Sequence, residues 1–274
     1  MKINKLKPVL TLAAGIVSFT SASSDAALTS SPLEYWDFNG DALAGVDNAN
    51  NDGTILNNNG GTSAFVAGKF GQAIDLESTG AANAWVSVDD PDNTFDMDND
   101  IGTISLWFQV ESFDSGWQAL VTAGEGAAWR LHRQSSNERL QVNMGNQGVL
   151  NTPDITVGGL GDGTWHHLAV SIDGANGTQV WFDGALTANG TVRDTTGNGL
   201  PFAIGNNAND LNRGWDGLID DVAFWDTALT DADVQQIWNG GTGASIESLA
   251  IPEPTALSLF GMVGLAMMLR RRRG

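Results

Sequence analysis

Short apolar runs alternate with turn-forming clusters over most of this chain. In "TISLWFQV", Ile104, Leu106, Phe108 and Val110 share one side, and Thr103, Ser105, Trp107 and Gln109 share the other. That is the period-two pattern of a strand that lays one face on a core. "WHHLAVSID" repeats it, with His166, Leu168, Val170 and Ile172 opposite Trp165, His167, Ala169 and Ser171. Comparable runs are "LEYWDF", "QAIDL", "AWVSV", "QALVTA", "AWRLHR", "RLQVNM", "TQVWFDG", "PFAIG" and "LIDDVAFW". Clusters such as "DFNGD", "NNDG", "NNNGG", "DGANG" and "TGNG" separate them, and glycine, Asn and Asp are what tight turns require. Many short strands with no helices between them predict an all-β, two-sheet antiparallel sandwich.

One helix interrupts the pattern, over Thr230–Asn239. Thr230 is placed to cap it, Asp233 stands at its third position, and Val234, Ile237 and Trp238 form an apolar stripe before Gly240 and Gly241. Such a helix serves to cover part of a sheet. Residues 242–251 then read as a linker.

The two ends follow other rules. Lys2, Lys5 and Lys7 precede an apolar stretch from Val9 to Phe19 and the small, polar "TSASSDAA". This is the order of a secretory signal peptide, spanning residues 1–27. At the other end, Thr255 to Leu269 is apolar and four arginines follow, Arg270, Arg271, Arg272 and Arg273. As a helix that run rises about 22 Å against about 30 Å of hydrocarbon. It is short for a lasting anchor, and the arginines would hold its end on the cytoplasmic side.

Composition changes the picture in two ways. Cysteine is absent, which removes thiol chemistry and Cys-ligated zinc from consideration. Residues 28–251 carry six basic side chains against thirty acidic ones, a formal balance of −24. Such a surface repels nucleic acid and anionic lipid and attracts cations.

The candidate chemistry is accordingly sparse. A retaining glycosidase needs two carboxylates about 5 Å apart, yet Glu34, Glu77, Glu111, Glu125, Glu138, Glu247 and Glu253 are each isolated in sequence. His166 and His167 are adjacent on a strand and point to opposite faces, so they cannot share a metal. No Gly-x-Ser-x-Gly and no phosphate-cradling loop occurs. Calcium suits the pattern better, because it takes oxygen ligands collected on turns. "DNANNDG", Asp47 to Gly53, is one such loop, and Asp220 in "IDDV" is expected to face inward with Val222 and Phe224. The same residues suit plain turns and a carboxylate that accepts backbone N–H groups, so both readings stand. Of ten tryptophans, most lie in strands and read as core. Trp117 in "DSGWQ" and Trp215 in "NRGWDG" lie near turns and are the candidates for a ligand-facing edge.

An ordered set of segments carries a resemblance: "YWDFNGDALAGVDNANNDGTI", "GKFGQAIDL", "TISLWFQV", "DGTWHHLAVSIDGANGTQVWFDGAL" and "GLIDDVAFWDTALTDADVQQIWNGG". Over about residues 33–241 the chain resembles the LamG-like jelly-roll domain of the concanavalin A-like lectin/glucanase superfamily. The resemblance implies roughly a dozen strands in two facing sheets, and by position a structural Ca2+ held by Asp47, Asn50, Asp52 and Asp220. The Glu-x-Asp-x-(x)-Glu strand of related glucanases is missing.

Pro252-Glu253-Pro254, the apolar run and the arginine tail resemble the PEP-CTERM sorting signal of Gram-negative bacteria. That implies recognition by an exosortase after export by the secretion machinery. It also implies passage through the membrane by the C-terminal helix, and delivery to the cell surface or matrix. The expected organisation is a signal peptide (1–27), a jelly-roll domain (28–241), a linker (242–251) and a sorting signal (252–274). The expected function is a non-catalytic module that binds extracellular polysaccharide or surface proteins, and no nucleic acid. The alternatives are a structural matrix protein without a ligand and a polysaccharide-degrading glycosidase or lyase.

Overall fold

The structure is a computed structural model that describes residues 27–46, 49–97, 100–145, 149–151, 163–191 and 195–250. Nearly all of the signal-peptide segment and the whole sorting motif, Pro252, Glu253, Pro254 and Arg270 to Arg273, lie outside the described residues, as does Asp47. Among the described residues, no helix is long and apolar enough to cross a membrane.

Fifteen strands, numbered in chain order, form two antiparallel sheets among the described residues. The first runs β13 (Ala185–Gly190), β12 (Gly177–Phe182), β11 (His166–Asp173), β6 (Gly102–Phe108), β15 (Gly217–Trp225), β4 (Gln72–Leu76), β3 (Ser63–Ala67). There β1 (Glu34–Trp36) also pairs with β15. The second runs β10 (Val149–Asn151), β9 (Leu140–Met144), β8 (Trp129–Arg133), β7 (Ala119–Thr122), β14 (Phe202–Ile204), β5 (Asn83–Val88), β2 (Gly53–Asn58). The alternation in sequence places one side of each strand between the sheets. Ile104, Leu106 and Phe108 meet Leu168, Val170, Ile172, Trp129, Leu131, Val142 and Phe202 in one buried cluster.

The hairpin at "DGANG" shows why its glycine is required. Asp173 accepts the Ala175 amide across the turn, and Gly177 opens β12 at φ +76°. A Cβ there would stand 2.0 Å from the Gly190 carbonyl oxygen, so both conformation and space exclude a side chain.

The outer face of the first sheet is buried too, which strict alternation does not predict. Helix α1 (Asp231–Trp238) lies on it with Ala169, Trp181, Ala223, Trp225, Val234 and Ile237 in a second apolar cluster. Thr230 Oγ accepts the Asp233 amide and Asp233 accepts the Thr230 amide, a reciprocal capping box. Asp233 also takes the amide and hydroxyl of Thr29, each at 2.8 Å, and so fastens the N-terminal segment to the helix. The helix stops one residue earlier than its glycines suggest, with Asn239 left-handed at φ 43°.

The expected linker is partly folded. Ile246–Ala250 forms a second helix, α2, whose Ile246 and Leu249 complete the outer cluster. The segment read as a linker thus carries a second short helix beyond the one expected at Thr230–Asn239. Apolar side chains at Ile246 and Leu249 cover surface that α1 leaves open.

Asp220 also needs correction. It is fully buried, but on the outer face of the first sheet, paired with Trp107 of β6, whereas Val222 and Phe224 face the inter-sheet core. The register shifts between Asp220 and Ala223, and Asp221 is left-handed at φ 51°. This bulge inserts one residue and flips the faces on either side of it.

Candidate functional site

Among the described residues no helix lies over the outer face of the second sheet, and several of its polar side chains lack hydrogen-bond partners. Its origin is visible in two strands. Trp129 and Leu131 of β8, with Leu140, Val142 and Met144 of β9, turn into the core. Arg130, His132, Gln141 and Asn143 therefore turn outward. Cross-strand register sets Arg130 opposite Asn143, and His132 opposite Gln141 on one side and Ala119 of β7 on the other. Thr122 stands beside Arg130. Trp117 comes just before β7 and lays its ring 5.4 Å from the His132 ring. It is 38% exposed, a large apolar side chain open to solvent.

The Asn206–Arg213 segment walls this shelf. Thr122 donates to the Asn206 carbonyl and Ala119 donates its amide to the Arg213 carbonyl. Arg213 pairs with Glu125 and with Asp210, and Asn207 donates to the same Glu125 oxygen.

Within that wall several atoms have no partner. Arg130 Nε and Nη1, His132 Nε2 and Asn143 Oδ1 are all buried and make no hydrogen bond. His132 Nδ1 lies 2.8 Å from the Arg133 carbonyl oxygen. A carbonyl only accepts, so Nδ1 carries the proton and Nε2 is an acceptor. Burial, helped by the Arg130 and Arg213 charges, holds this imidazole down to about 4, so it is neutral near pH 7. Burial also lowers the Arg130 guanidinium, with Glu125 opposing that shift. The shelf thus offers donors from Arg130 and acceptors from His132 and Asn143, beneath an exposed indole.

The sequence-derived candidates divide. Trp117 belongs to this shelf. Trp215 does not: it is fully buried in the inter-sheet core, with Nε1 on the Gln109 carbonyl and its ring edge-on to Phe108 and Phe113. Its apparent turn is the entry to β15, where its amide is bonded to the Gly205 carbonyl and the chain is held between the sheets. Arg130 and Asn143 escaped sequence reading, although "AWRLHR" and "RLQVNM" place polar residues in strict alternation with core ones.

Of the four residues implied as calcium ligands, Asp47 lies outside the described residues, and Asp220 stands apart from Asn50 and Asp52. Asp52 accepts the Ala44 amide and sits near Glu34, which faces the inter-sheet side of β1 and is bonded to Asn51. Asn50 is exposed and lines a polar cleft of about 430 Å3 with Asn51, Asp89, Asp90, Pro91, Asp92 and Thr94. Asp220 lies on the opposite side of the first sheet, accepting the Phe70 amide at 2.9 Å. Asp52 and Asp220 thus aim oxygens at amide N–H groups on different faces. Among the described residues, the set of acids that does converge is Asp75, Glu77 and Glu111, whose oxygens lie within 4.8 Å of one another. Burial raises Asp75 and Glu111, and the neighbouring acids raise them further.

Comparison with solved structures finds this architecture repeatedly. Domain 4 of AbnA, a GH43 extracellular arabinanase from Geobacillus stearothermophilus, solved with arabinotriose, is 22% identical. It aligns over 78% of this chain and 98% of its own, with a TM-score of 0.57. The binding domain of botulinum neurotoxin DC, solved with rat synaptotagmin II, is 16% identical over 76% of this chain and 51% of that one, TM-score 0.56. The binding domain of Paraclostridial Mosquitocidal Protein 1 is 16% identical over 69% and 48%, TM-score 0.53. The chain spans about half the length of these toxin domains. At such identities the likeness concerns the fold. A search of curated proteins by sequence gave no match. The sequence model of one family does match, across residues 79–235 and so over more than half of the chain, and the protein belongs to the concanavalin A-like lectin/glucanases superfamily.

Proposed function

We propose that this protein is a non-catalytic glycan-binding module, and that the shelf on its second sheet is the binding face. The observation that carries the reading is the meeting of partnerless donors and acceptors with an exposed tryptophan on one sheet face. A buried polar atom without a partner costs about 1–3 kcal/mol. Sugar hydroxyls both donate and accept, so one class of ligand supplies what Arg130, His132 and Asn143 lack, and an indole face stacks on a pyranose or furanose ring. Trp117 has φ 64°, a left-handed backbone that is an outlier for a bulky residue and that clusters at ligand sites. The arabinotriose bound in the similar arabinanase domain and the rat synaptotagmin II bound in the toxin domain are in keeping with a binding role.

Export, exosortase sorting by the tail from Pro252 to Arg273, and residence at the cell surface or matrix complete the proposal. They rest on the order of motifs in the sequence. Glycan-array binding by the purified protein tests the reading, with Trp117→Ala and Arg130→Gln as probes. Binding that both substitutions weaken supports it, and a blank array removes it.

A hydrolytic reading has one observation behind it, the Asp75–Glu77–Glu111 set, whose spacing suits paired carboxylates. Glu77 and Glu111 are exposed and stand apart from the shelf residues named above. Release of reducing ends from polysaccharide, abolished by Glu111→Gln, would establish this reading in place of the first.

A further inference from the structure

We infer that the glycan recognised by this shelf is acidic, and that Arg130 selects it by pairing with a sugar carboxylate. The inference rests on the glycan-binding reading and narrows it to uronate-bearing polysaccharide.

Charge placement is the starting point. Thirty acidic and only six basic side chains lie in residues 28–251. Four of those six, Arg130, Arg133, Arg139 and Arg213, lie on or beside β7, β8 and β9 and the Asn206–Arg213 segment that walls them. Three are engaged within the protein. Arg213 holds Glu125 and Asp210. Arg133 donates to the carbonyls of Ser115, Ser136 and Asn137 and covers the Phe113 ring. Arg139 donates to Gln134.

Arg130 differs from all of them, with two buried nitrogens that meet no acceptor. Glu125 is the carboxylate whose charge reaches it, and its Oε1 is already taken by Arg213 and Asn207. In a chain so rich in acids, an arginine left without one is conspicuous. An uncompensated buried charge is among the costliest features a fold can keep. A ligand carboxylate removes that cost, and a guanidinium matches a carboxylate in shape as well as charge.

The neighbouring atoms point to a carboxylate on a sugar. His132 Nε2 and Asn143 Oδ1 are acceptors, and acceptors repel a bare anion but take the O–H groups next to one. A uronate residue carries both functions on a single ring, with Trp117 available to its face. The shelf is only partly open: Arg130 and Asn143 are half-buried and His132 is covered.

The test is a cycle over protein and ligand, using the purified full chain in about 0.15 M salt, where charges beyond roughly 8 Å are screened. The probes are polygalacturonate, the same polymer with its carboxyls reduced to alcohols, and neutral arabinan. Polygalacturonate should bind at least about tenfold more tightly than its reduced form. Arg130→Gln should remove that preference, lowering affinity for polygalacturonate at least about tenfold more than it lowers affinity for the reduced polymer. A variant that merely misfolds would lose both polymers alike, and its melting curve would show it. Equal affinity for the two polymers in the unsubstituted protein, or a preference that survives Arg130→Gln, overturns the inference and leaves the glycan-binding reading standing. Failure to bind any of the three, together with a blank array, overturns both.

Discussion

Asp220 provides a test of how burial governs the charges of this fold. Its side chain is fully buried on the outer face of the first sheet, with Oδ1 partnerless and Oδ2 on the Phe70 amide. Burial raises its carboxyl to about 7, against an ordinary 3.8, although amide hydrogen bonds from Phe70, Lys69 and Asp221 oppose the shift. A raised folded-state pKa means that the protonated acid is favoured in the native protein. The contribution is therefore fully present below pH 3.8 and is lost as pH rises through 7. Integrated from pH 5 to pH 8, the two titrations differ by about 2 units, or ~2.5 kcal/mol at 1.36 kcal/mol per unit.

Replacing Asp220 by Asn keeps the shape and an acceptor for Phe70 while removing the charge. Urea unfolding of both proteins at pH 5 and pH 8 reads the effect. His132 and His167, held at about 4 and about 3, give an opposite slope below pH 6.5, but they are common to both proteins and cancel in the difference. The Asn variant should gain ~2.5 kcal/mol on the parent between the two pH values, roughly 1 M in urea midpoint. Adjacent Asp221, raised by burial and also by the Asp220 charge, adds to the gain. A difference that does not change with pH, or that changes in the opposite direction, refutes the reasoning.

Other perturbations follow from the same geometry. Burial alone would raise the Asp233 carboxyl, but hydrogen bonds from Thr230 and Thr29 outweigh it and hold the group low. Asp233→Ala should cost about 2–3 kcal/mol near neutral pH in chemical denaturation, and the cost should fade as pH drops below the carboxylate range. Trp215→Ala empties a fully buried core site and should cost about 3–5 kcal/mol of stability, whereas Trp117→Ala should leave the melting temperature nearly unchanged and weaken glycan binding about tenfold. Melting curves in Ca2+ and in EDTA should coincide, because Asp52 and Asp220 spend oxygens on amides of different faces. A calcium-dependent rise abolished by Asp52→Asn would instead reveal a shell built without Asp220.

Local pattern alone was enough for much of this molecule. Period-two alternation in Ile104 to Phe108 and Leu168 to Ile172 reports which side chains enter the core, since adjacent residues of a strand must face opposite ways. The capping box at Thr230 and Asp233 was legible because both partners lie within one helical turn, and "DGANG" announced its hairpin through glycine and Asn. What alternation cannot say is what lies above the second face. The outer side of the first sheet is sealed by α1 and α2, so Trp107 and Trp225 are as buried as Phe108 and Phe224. Over the second sheet no helix lies among the described residues, and the same alternation places Arg130, His132 and Asn143 on a shelf. The bulge at Asp221 reversed the facing of Asp220, because one inserted residue changes parity for everything beyond it. The sequence by itself determined the strands, their inward faces and the helix cap, all set by neighbours a few residues apart. Only the tertiary structure decided which sheet face the helices cover, which tryptophan lines the other and which arginine is left without an acid, because those depend on strands brought together from distant parts of the chain.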